Sequence, residues 1–468
     1  MCTLVGYFIF MAKRLFILAP LLFLTISCDW FRDPEKEEAP LLTQKVNQYM
    51  LDLMEEVYLW EKHIPDTFDI RYEFDAFDFY EKLCYRTEDR WSFITDDVQT
   101  LLEGGEGVET TFGYSLAFGT FSNTGNYFAI IQYVYPQTPA SEAGLERGSI
   151  LVEMNGEPIT KDNYRNLFYA PSLQLTLGEL KDGAIHKAGN VSLLSRKQSL
   201  NPVIAYNIIE DGNRKAGYLC YSDFFGNSQD LFFPVFQEFK SAGVTDVVLD
   251  LRYNLGGYLT AARALVGALC PAECLTGNTV LISKSWNDLY QKYWNDNNRN
   301  DMLYEYFPKF SETPVNLDLS RLFILTGANT ASASELTICG LDPYMEIIKI
   351  GDVTRGKYTA AMVFHPEKDP QIENWGTQAI VYKYANALGV TDFKNGFVPD
   401  YPAEDMLLEN VYPLGHPSES LLARALALMG IRVEAPSQTC ALKSVSGFRF
   451  DHTFLSKPTG LYNHLIDK

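Results

Sequence analysis

A serine hydroxyl becomes a nucleophile only when a base takes its proton and nearby donors stabilise the oxyanion that follows. One stretch of this chain sets a serine for that work: Leu325-Thr-Gly-Ala-Asn-Thr-Ala-Ser-Ala-Ser-Glu335, an apolar strand running into small residues and then a helix. Ser332 or Ser334 at that helix start would lie among unpaired amides and the positive end of the helix dipole, which favour an alkoxide or an oxyanion. Plain N-capping by either serine explains the same residues. The six histidines, His63, His186, His365, His416, His452 and His464, stand in no serine-hydrolase context, and no G-x-S-x-G elbow occurs. A histidine-based triad is therefore not expected. The histidines also lack metal-ligand spacing, and Cys270-Pro-Ala-Glu-Cys274 is a close cysteine pair without two further zinc ligands. Buried thiols or one local disulfide are expected there, and no metal or cofactor is called for.

Two further segments flank the serine: Val248-Leu-Asp-Leu-Arg-Tyr-Asn-Leu-Gly-Gly257 and Gly351-Asp-Val-Thr-Arg-Gly-Lys357. With them the chain resembles the C-terminal processing (tail-specific) proteases, whose motifs run L-D-L-R-x-N-x-G-G, T-A-S-A-S-E and G-x-x-T-x-G-K in this order. The resemblance spans about residues 108–430 and includes Gly396-Phe-Val-Pro-Asp-Tyr401. It implies a serine endopeptidase working through an acyl-enzyme, with Ser332 as nucleophile and Lys357 as general base. A lysine deprotonates serine only when neutral, so its pKa must fall from about 10.4 toward roughly 7 to 8, which burial in an apolar pocket supplies. The family's oxyanion donors fall on the amide of Ala333 and on that of Gly256 or Gly257. Many members carry a glutamine four residues after the lysine, where this chain has Ala361. The group that orients Lys357 must then be absent or come from elsewhere. Glu335 is expected to serve the helix dipole or a structural hydrogen bond, Arg252 and Asn254 to brace the Gly-Gly turn, and Asp250 to close a strand.

These residues need a scaffold. From Pro202 onward, strand-like runs (216–220, 247–251, 322–325, 346–350) alternate with helical ones (231–242, 259–268, 334–341), the signature of an α/β layered core. Residues 108–198 are instead β-rich, with runs at 128–135 and 173–177 between turns. Within them, Thr138-Pro-Ala-Ser-Glu-Ala-Gly-Leu-Glu-Arg-Gly-Ser-Ile-Leu-Val-Glu-Met-Asn-Gly-Glu-Pro-Ile159 resembles the PDZ family, with Ser149 in place of the usual aspartate. That resemblance implies a peptide C-terminus added as a strand to a sheet edge, its carboxylate held by the loop Gly113-Tyr114-Ser115-Leu116. A module acting only as spacer or lid is the alternative. Apolar residues at helical intervals over 41–62 and around 76–83 suggest a small helical region ahead of it. The expected organisation is a signal peptide (1–27), a tether (28–40), a helical region (41–107), a PDZ module (108–198), a Ser-Lys protease core (199–432) and a C-terminal tail (433–468). The expected fold class is α/β and α+β multidomain.

Composition narrows the function classes. The 468 residues hold 59 acidic and 39 basic side chains, a formal net charge of −20, which excludes nonspecific nucleic-acid binding. A chain 47% hydrophobic and 14% aromatic has ample core material, which excludes extended disorder. No run of 18 to 25 uninterrupted apolar residues occurs, so no membrane bundle is expected. Lys13 and Arg14 precede twelve uncharged, mostly apolar residues and then Ser27-Cys28, the outline of a signal peptide. The small residue before the cysteine resembles a bacterial lipoprotein signal, although Thr25 sits where leucine is usual. It implies lipidation of Cys28 and attachment to a cell-envelope membrane, on the periplasmic or surface side. An ordinary signal peptide or an uncleaved anchor are the alternatives. The expected partners are protein or peptide substrates with free C-termini. The competing class is a noncatalytic ligand- or peptide-binding protein on the same core, as in the interphotoreceptor retinoid-binding proteins; the presence of both Ser332 and Lys357 argues against it.

Overall fold

The structure, a computed structural model, describes residues 37–226, 228–432 and the strand Phe448–Asp451. The expected signal peptide, Cys28 and most of the expected tether and tail lie outside the described residues.

The central sheet has six strands in the order Val203–Asp211, Arg214–Tyr221, Asp246–Asp250, Arg321–Thr326, Glu346–Gly351 and Tyr401–Pro402. The first two form an antiparallel hairpin, and every later neighbour is parallel. Parallel neighbours need crossovers, which the helices Gln229–Ala242, Leu259–Leu269 and Ala333–Leu341 supply. Strand alternation sorts the side chains between two faces. Val247, Leu249, Leu322 and Ile324 share a core with Phe236, Leu265 and Leu336 of those helices. Val248, Phe323, Leu325 and Ile350 instead meet Leu422 and Leu426 of the helix Ser420–Met429. Both faces are covered, which is why these strands read as continuous apolar runs. Asp250, Thr326 and Gly351 end adjacent parallel strands on one side of the sheet, and all three motif loops leave from there. Crevices at such strand ends are where open α/β sheets place their sites.

A second, antiparallel sheet orders Phe93–Thr95, Gly376–Asn386, Val280–Trp286 and Tyr304–Tyr306, with Thr359–Phe364 also paired to Gly376–Asn386. Lys357 therefore sits just ahead of one of its strands. The helix expected over 41–62 is Leu41–Val57. It stops because Tyr58 turns extended and Leu59 donates its N–H to Ile380 O at 2.9 Å, so the chain leaves the helix to dock on this sheet. The stretch 41–107 is also not helical throughout, since Phe93–Thr95 pairs with Gly376–Gln378. Met50, Met54, Phe79 and Tyr80 from its helices share one core with Leu116, Ile131, Leu151 and Ile380.

The β-rich module is an antiparallel sheet of Tyr114–Phe121, Tyr127–Val134, Ile150–Met154, Ser172–Lys181 and Ala184–Leu194. Its two ends, Val108–Thr111 and Arg196–Ser199, pair with each other. Within the stretch read from the sequence as a tail, Phe448–Asp451 is a strand, and it pairs antiparallel with Tyr114–Phe121 at the sheet's outer edge. Cys270 and Cys274 are buried free thiols.

Candidate active site

Ser332 stands at the N-cap of Ala333–Leu341 with φ 54° and ψ −114°. A non-glycine residue held there costs on the order of 1–3 kcal/mol, and such strain persists only where the surroundings enforce it. The neighbours are Ala331 and Ala333 rather than glycines, and Gly256 on the facing loop provides the room. A Cβ on Gly256 would stand 2.7 Å from Ser332 Cβ and 2.8 Å from Ala333 N, and its φ of +100° itself favours glycine.

Asn254 fixes that glycine turn. Its Nδ2 donates to Tyr221 O at 2.9 Å, and its Oδ1 accepts the Gly256 N–H at 2.8 Å. Its carbonyl accepts the Ala331 N–H at 3.0 Å and the Ser334 hydroxyl at 3.0 Å. Ser334 is thereby tied to the scaffold. Of the two glycine amides proposed from the sequence as oxyanion donors, that of Gly256 is thus taken. Among the described residues neither Gly257 N–H nor Ala333 N–H donates a hydrogen bond.

Behind the turn, Arg252 donates to both oxygens of Glu419 at 2.7 and 2.9 Å, to Asp250 at 3.0 Å and to Asp405 at 2.9 Å. Arg147, from the β-rich module, reaches the same Asp405 at 2.5 Å and Tyr253 Oη at 2.6 Å. Burial alone would raise the Asp405 pKa, but Arg147 and Arg252 hold it down to about 2. Buried ions of this kind are costly to strand singly, so the cluster ties module and core together behind Gly256.

Glu335 joins the serine and the lysine loops. It is fully buried, and its Oε2 accepts the N–H of Ser332 at 3.0 Å and of Lys357 at 2.7 Å. Oε1 accepts the Gly356 N–H and the Thr354 hydroxyl, both at 2.6 Å. Tyr384 Oη lies 3.3 Å from Ser332 O and 3.1 Å from Lys357 O. Two residues 25 positions apart in sequence are thus held through shared partners. The sequence reading of Glu335 as a structural hydrogen-bonder agrees with this geometry.

Lys357 is 8% exposed, and burial lowers its pKa from the ordinary 10.5 to about 8. Asp89 and Glu335 pull upward against that, and Arg355 adds to the lowering. The ammonium nitrogen lies 5.3 Å from the centre of the Trp91 ring. Asp89 and Trp91 come from the N-terminal region, and sequence reasoning missed both. Asp89 is wholly buried, with Oδ1 accepting the N–H of Trp91 at 2.8 Å and of Ser92 at 2.9 Å, and Oδ2 accepting the Tyr58 hydroxyl at 2.7 Å. Ala361 lies on Thr359–Phe364 beside a bulge, opposite Ile380, and offers only a methyl.

Gly113 has φ +89°, and a Cβ there would stand 2.2 Å from Thr138 Cβ. Its N–H goes to Thr111 Oγ1 at 3.0 Å. Tyr114, Ser115 and Leu116 open the strand Tyr114–Phe121 and are buried, the Tyr114 hydroxyl donating to Leu167 O at 2.5 Å and the Ser115 hydroxyl to Gln132 Oε1 at 2.9 Å.

Residues 45–93 match the Peptidase S41 N-terminal domain and residues 215–403 match Peptidase family S41. The second match contains Gly256, Ser332 and Lys357, and the first contains Asp89 and Trp91. The chain is similar to the chloroplastic C-terminal processing peptidase of Tetradesmus obliquus, with 27% identity over 297 residues, 58% of this chain and 56% of that one. It is similar to the carboxyl-terminal-processing protease of Picosynechococcus sp., with 23% identity over 274 residues, 57% of this chain and 58% of that one. The chain thus spans little more than half the length of the curated relatives it matches. Among solved structures, that of a candidate S41 protease from Bacteroides fragilis NCTC 9343 is similar, with a TM-score of 0.69 and 28% identity, covering 82% of this chain and 97% of that one. Two models of the peptidase S41 family, that of its N-terminal domain and that of the family itself, thus match this chain over residues 45–93 and 215–403.

Proposed function

We propose that the protein is a serine endopeptidase that engages exposed protein C-termini and cleaves peptide bonds through an acyl-enzyme on Ser332. The observation that carries this reading is a buried lysine with a lowered pKa, whose amide shares one carboxylate oxygen of Glu335 with the amide of Ser332. Neutral Lys357 takes the Ser332 proton as Oγ attacks the substrate carbonyl carbon. The oxyanion is met by the amides of Ala333 and Gly257. The intermediate collapses to an ester, and protonated Lys357 gives its proton to the leaving amine. A water then loses a proton to Lys357 and attacks the ester carbon, and as the C–Oγ bond breaks Lys357 returns that proton to Oγ, releasing the acid with Ser332 restored. Asp89 and Trp91 take the orienting part left open by Ala361. The ring covers the lysine, and the carboxylate steadies the ammonium that exists between the two proton transfers.

We read the β-rich module as a PDZ domain that holds the substrate's terminal carboxylate near Gly113–Leu116. The positive φ at Gly113, the place of Tyr114–Phe121 as the outermost strand contributed by residues 114–194, and the C-terminal processing named for both curated relatives support this reading. A carboxylate accepting charge-assisted hydrogen bonds gains at least 1.4 kcal/mol over an amide, so a peptide with a free, apolar C-terminus should be cleaved with at least about tenfold higher kcat/KM than its amidated twin. Steady-state kinetics on such a pair is the test. Equal values would sink recognition of the terminus, and no cleavage of either peptide would favour the noncatalytic binder.

Attachment to the cell envelope through a lipidated Cys28 completes the proposal. Because the acyl chains would be carried by that one residue, Cys28→Ala is expected to move the protein from the membrane to the soluble fraction. Fractionation that leaves the variant with the membrane would refute the anchor.

A further inference from the structure

The strand Phe448–Asp451 occupies the edge that an incoming peptide would need. Every other strand of its sheet comes from residues 114–194 in close succession, whereas this one arrives from beyond the protease core. Its register is Phe448 with Phe121, Arg449 with Thr120, Phe450 with Gly119 and Asp451 with Phe118, all antiparallel. Its C-terminal end therefore points along Tyr114–Phe121 toward Tyr114 and Gly113. A peptide added to this edge with its terminal carboxylate at Gly113–Leu116 would run antiparallel in the same direction, and its upstream residues would need the backbone groups of Phe118–Phe121 that this strand takes. The other side of Tyr114–Phe121 is filled by Tyr127–Val134, so the two ligands cannot share the strand.

We propose that Phe448–Asp451 is an internal ligand of the β-rich module, holding the peptide-binding edge until a substrate terminus displaces it. The proposal rests on the reading of this module as a peptide-binding one. A four-residue strand makes few backbone bonds, and by itself would be a weak ligand. Tethering compensates, because a segment on the same chain acts at an effective concentration in the millimolar range. Against an edge with an intrinsic dissociation constant near 100 μM for this segment, that occupancy would weaken an external peptide about tenfold. The protease would then ignore weakly matching termini and accept those that outcompete its own strand.

The test is a full-length chain carrying Arg449→Pro and Phe450→Pro. Successive N–H groups of a strand point to opposite sides, so replacing both removes whichever one faces Tyr114–Phe121. The substitutions lie in a strand at the edge of the sheet, more than 90 positions along the chain from Lys357. The amides of Phe118–Phe121 should exchange hydrogen faster in the variant, and an apolar peptide with a free carboxylate should bind about tenfold more tightly than to the unaltered chain. A chain ending after Arg432 should behave in the same way. Unchanged exchange would overturn the proposal, as would faster exchange with equal peptide affinity, which would make the strand a fixed cover of the edge. Faster exchange with no peptide binding to either chain would instead overturn the peptide-binding reading of the module.

Discussion

Ser332→Ala is expected to abolish peptide-bond cleavage, lowering kcat by on the order of 10⁴-fold or more, while the chain stays folded. The hydroxyl is the atom that forms the ester, and no neighbouring group can replace it, since Ser334 donates its own hydroxyl to Asn254 O and is buried. The turn itself is held by backbone contacts that alanine keeps: the Ser332 N–H to Glu335, the Ala331 N–H to Asn254 and the Leu336 N–H to Ser332 O. The loss of a cap hydroxyl costs about 1 kcal/mol, so the melting temperature should shift by only a few degrees. A second variant separates strain from chemistry. At φ 54° a Cβ is unfavourable, so Ser332→Gly should be equally inactive yet more stable than Ser332→Ala by about 1 kcal/mol. A serine-reactive phosphonate should label the unaltered chain at Ser332 and neither variant. Full activity in a folded Ser332→Ala chain would refute the nucleophile, and labelling elsewhere would point to a different serine.

The central sheet was legible because its strands are buried on both faces and its helices are amphipathic, so period and length distinguish them, as at Asp246–Asp250 and Gln229–Ala242. The three motif loops were legible through their resemblance, in order and spacing, to the C-terminal processing proteases, whereas the serine stretch alone reads as readily as a helix cap. The groups packed around Lys357 were not. Asp89 and Trp91 lie in a loop without periodicity, and only tertiary packing brings that loop over the lysine. The early end of Leu41–Val57 escaped for a similar reason, since Tyr58 and Leu59 leave the helix for partners remote in sequence, the Tyr58 hydroxyl for Asp89 and the Leu59 N–H for Ile380 of the strand Gly376–Asn386. Phe448–Asp451 is too short to declare itself by alternation, and an edge four residues long leaves no pattern that sequence reading can separate from a loop. The candidate oxyanion donors needed structure for another reason: sequence offers Gly256 and Gly257 equally, and only the structure shows that the Gly256 N–H is taken by Asn254.

Replacing Lys357 should separate what that residue costs the fold from what it does for the chemistry. With a pKa of about 8, only roughly a tenth of the lysine is neutral at pH 7 and nine tenths at pH 9, so kcat/KM should rise about tenfold across that interval and then level off. The same shift bears on stability. In the unfolded chain the lysine returns to its ordinary 10.5, so below pH 8 both states are protonated and burying the cation destabilises the fold by on the order of 3 kcal/mol. Between pH 8 and 10.5 the unfolded chain binds more protons than the folded one, and this penalty fades as pH rises. Lys357→Met removes the charge while keeping a long apolar side chain against Trp91. It should therefore be inactive at every pH, yet more stable than the unaltered chain by as much as about 3 kcal/mol at pH 7, the difference shrinking toward pH 10.5. Lys357→Arg keeps the charge and cannot release its proton in this range, so it should be inactive without the gain in stability. Denaturant unfolding and peptide kinetics between pH 6 and 10 would measure both effects. An active Lys357→Met chain would mean that another group takes the serine proton. An inactive one with no gain in stability at pH 7 would mean that Asp89 and Glu335 already offset the burial of the cation, and the rise of kcat/KM should then be centred well above pH 8.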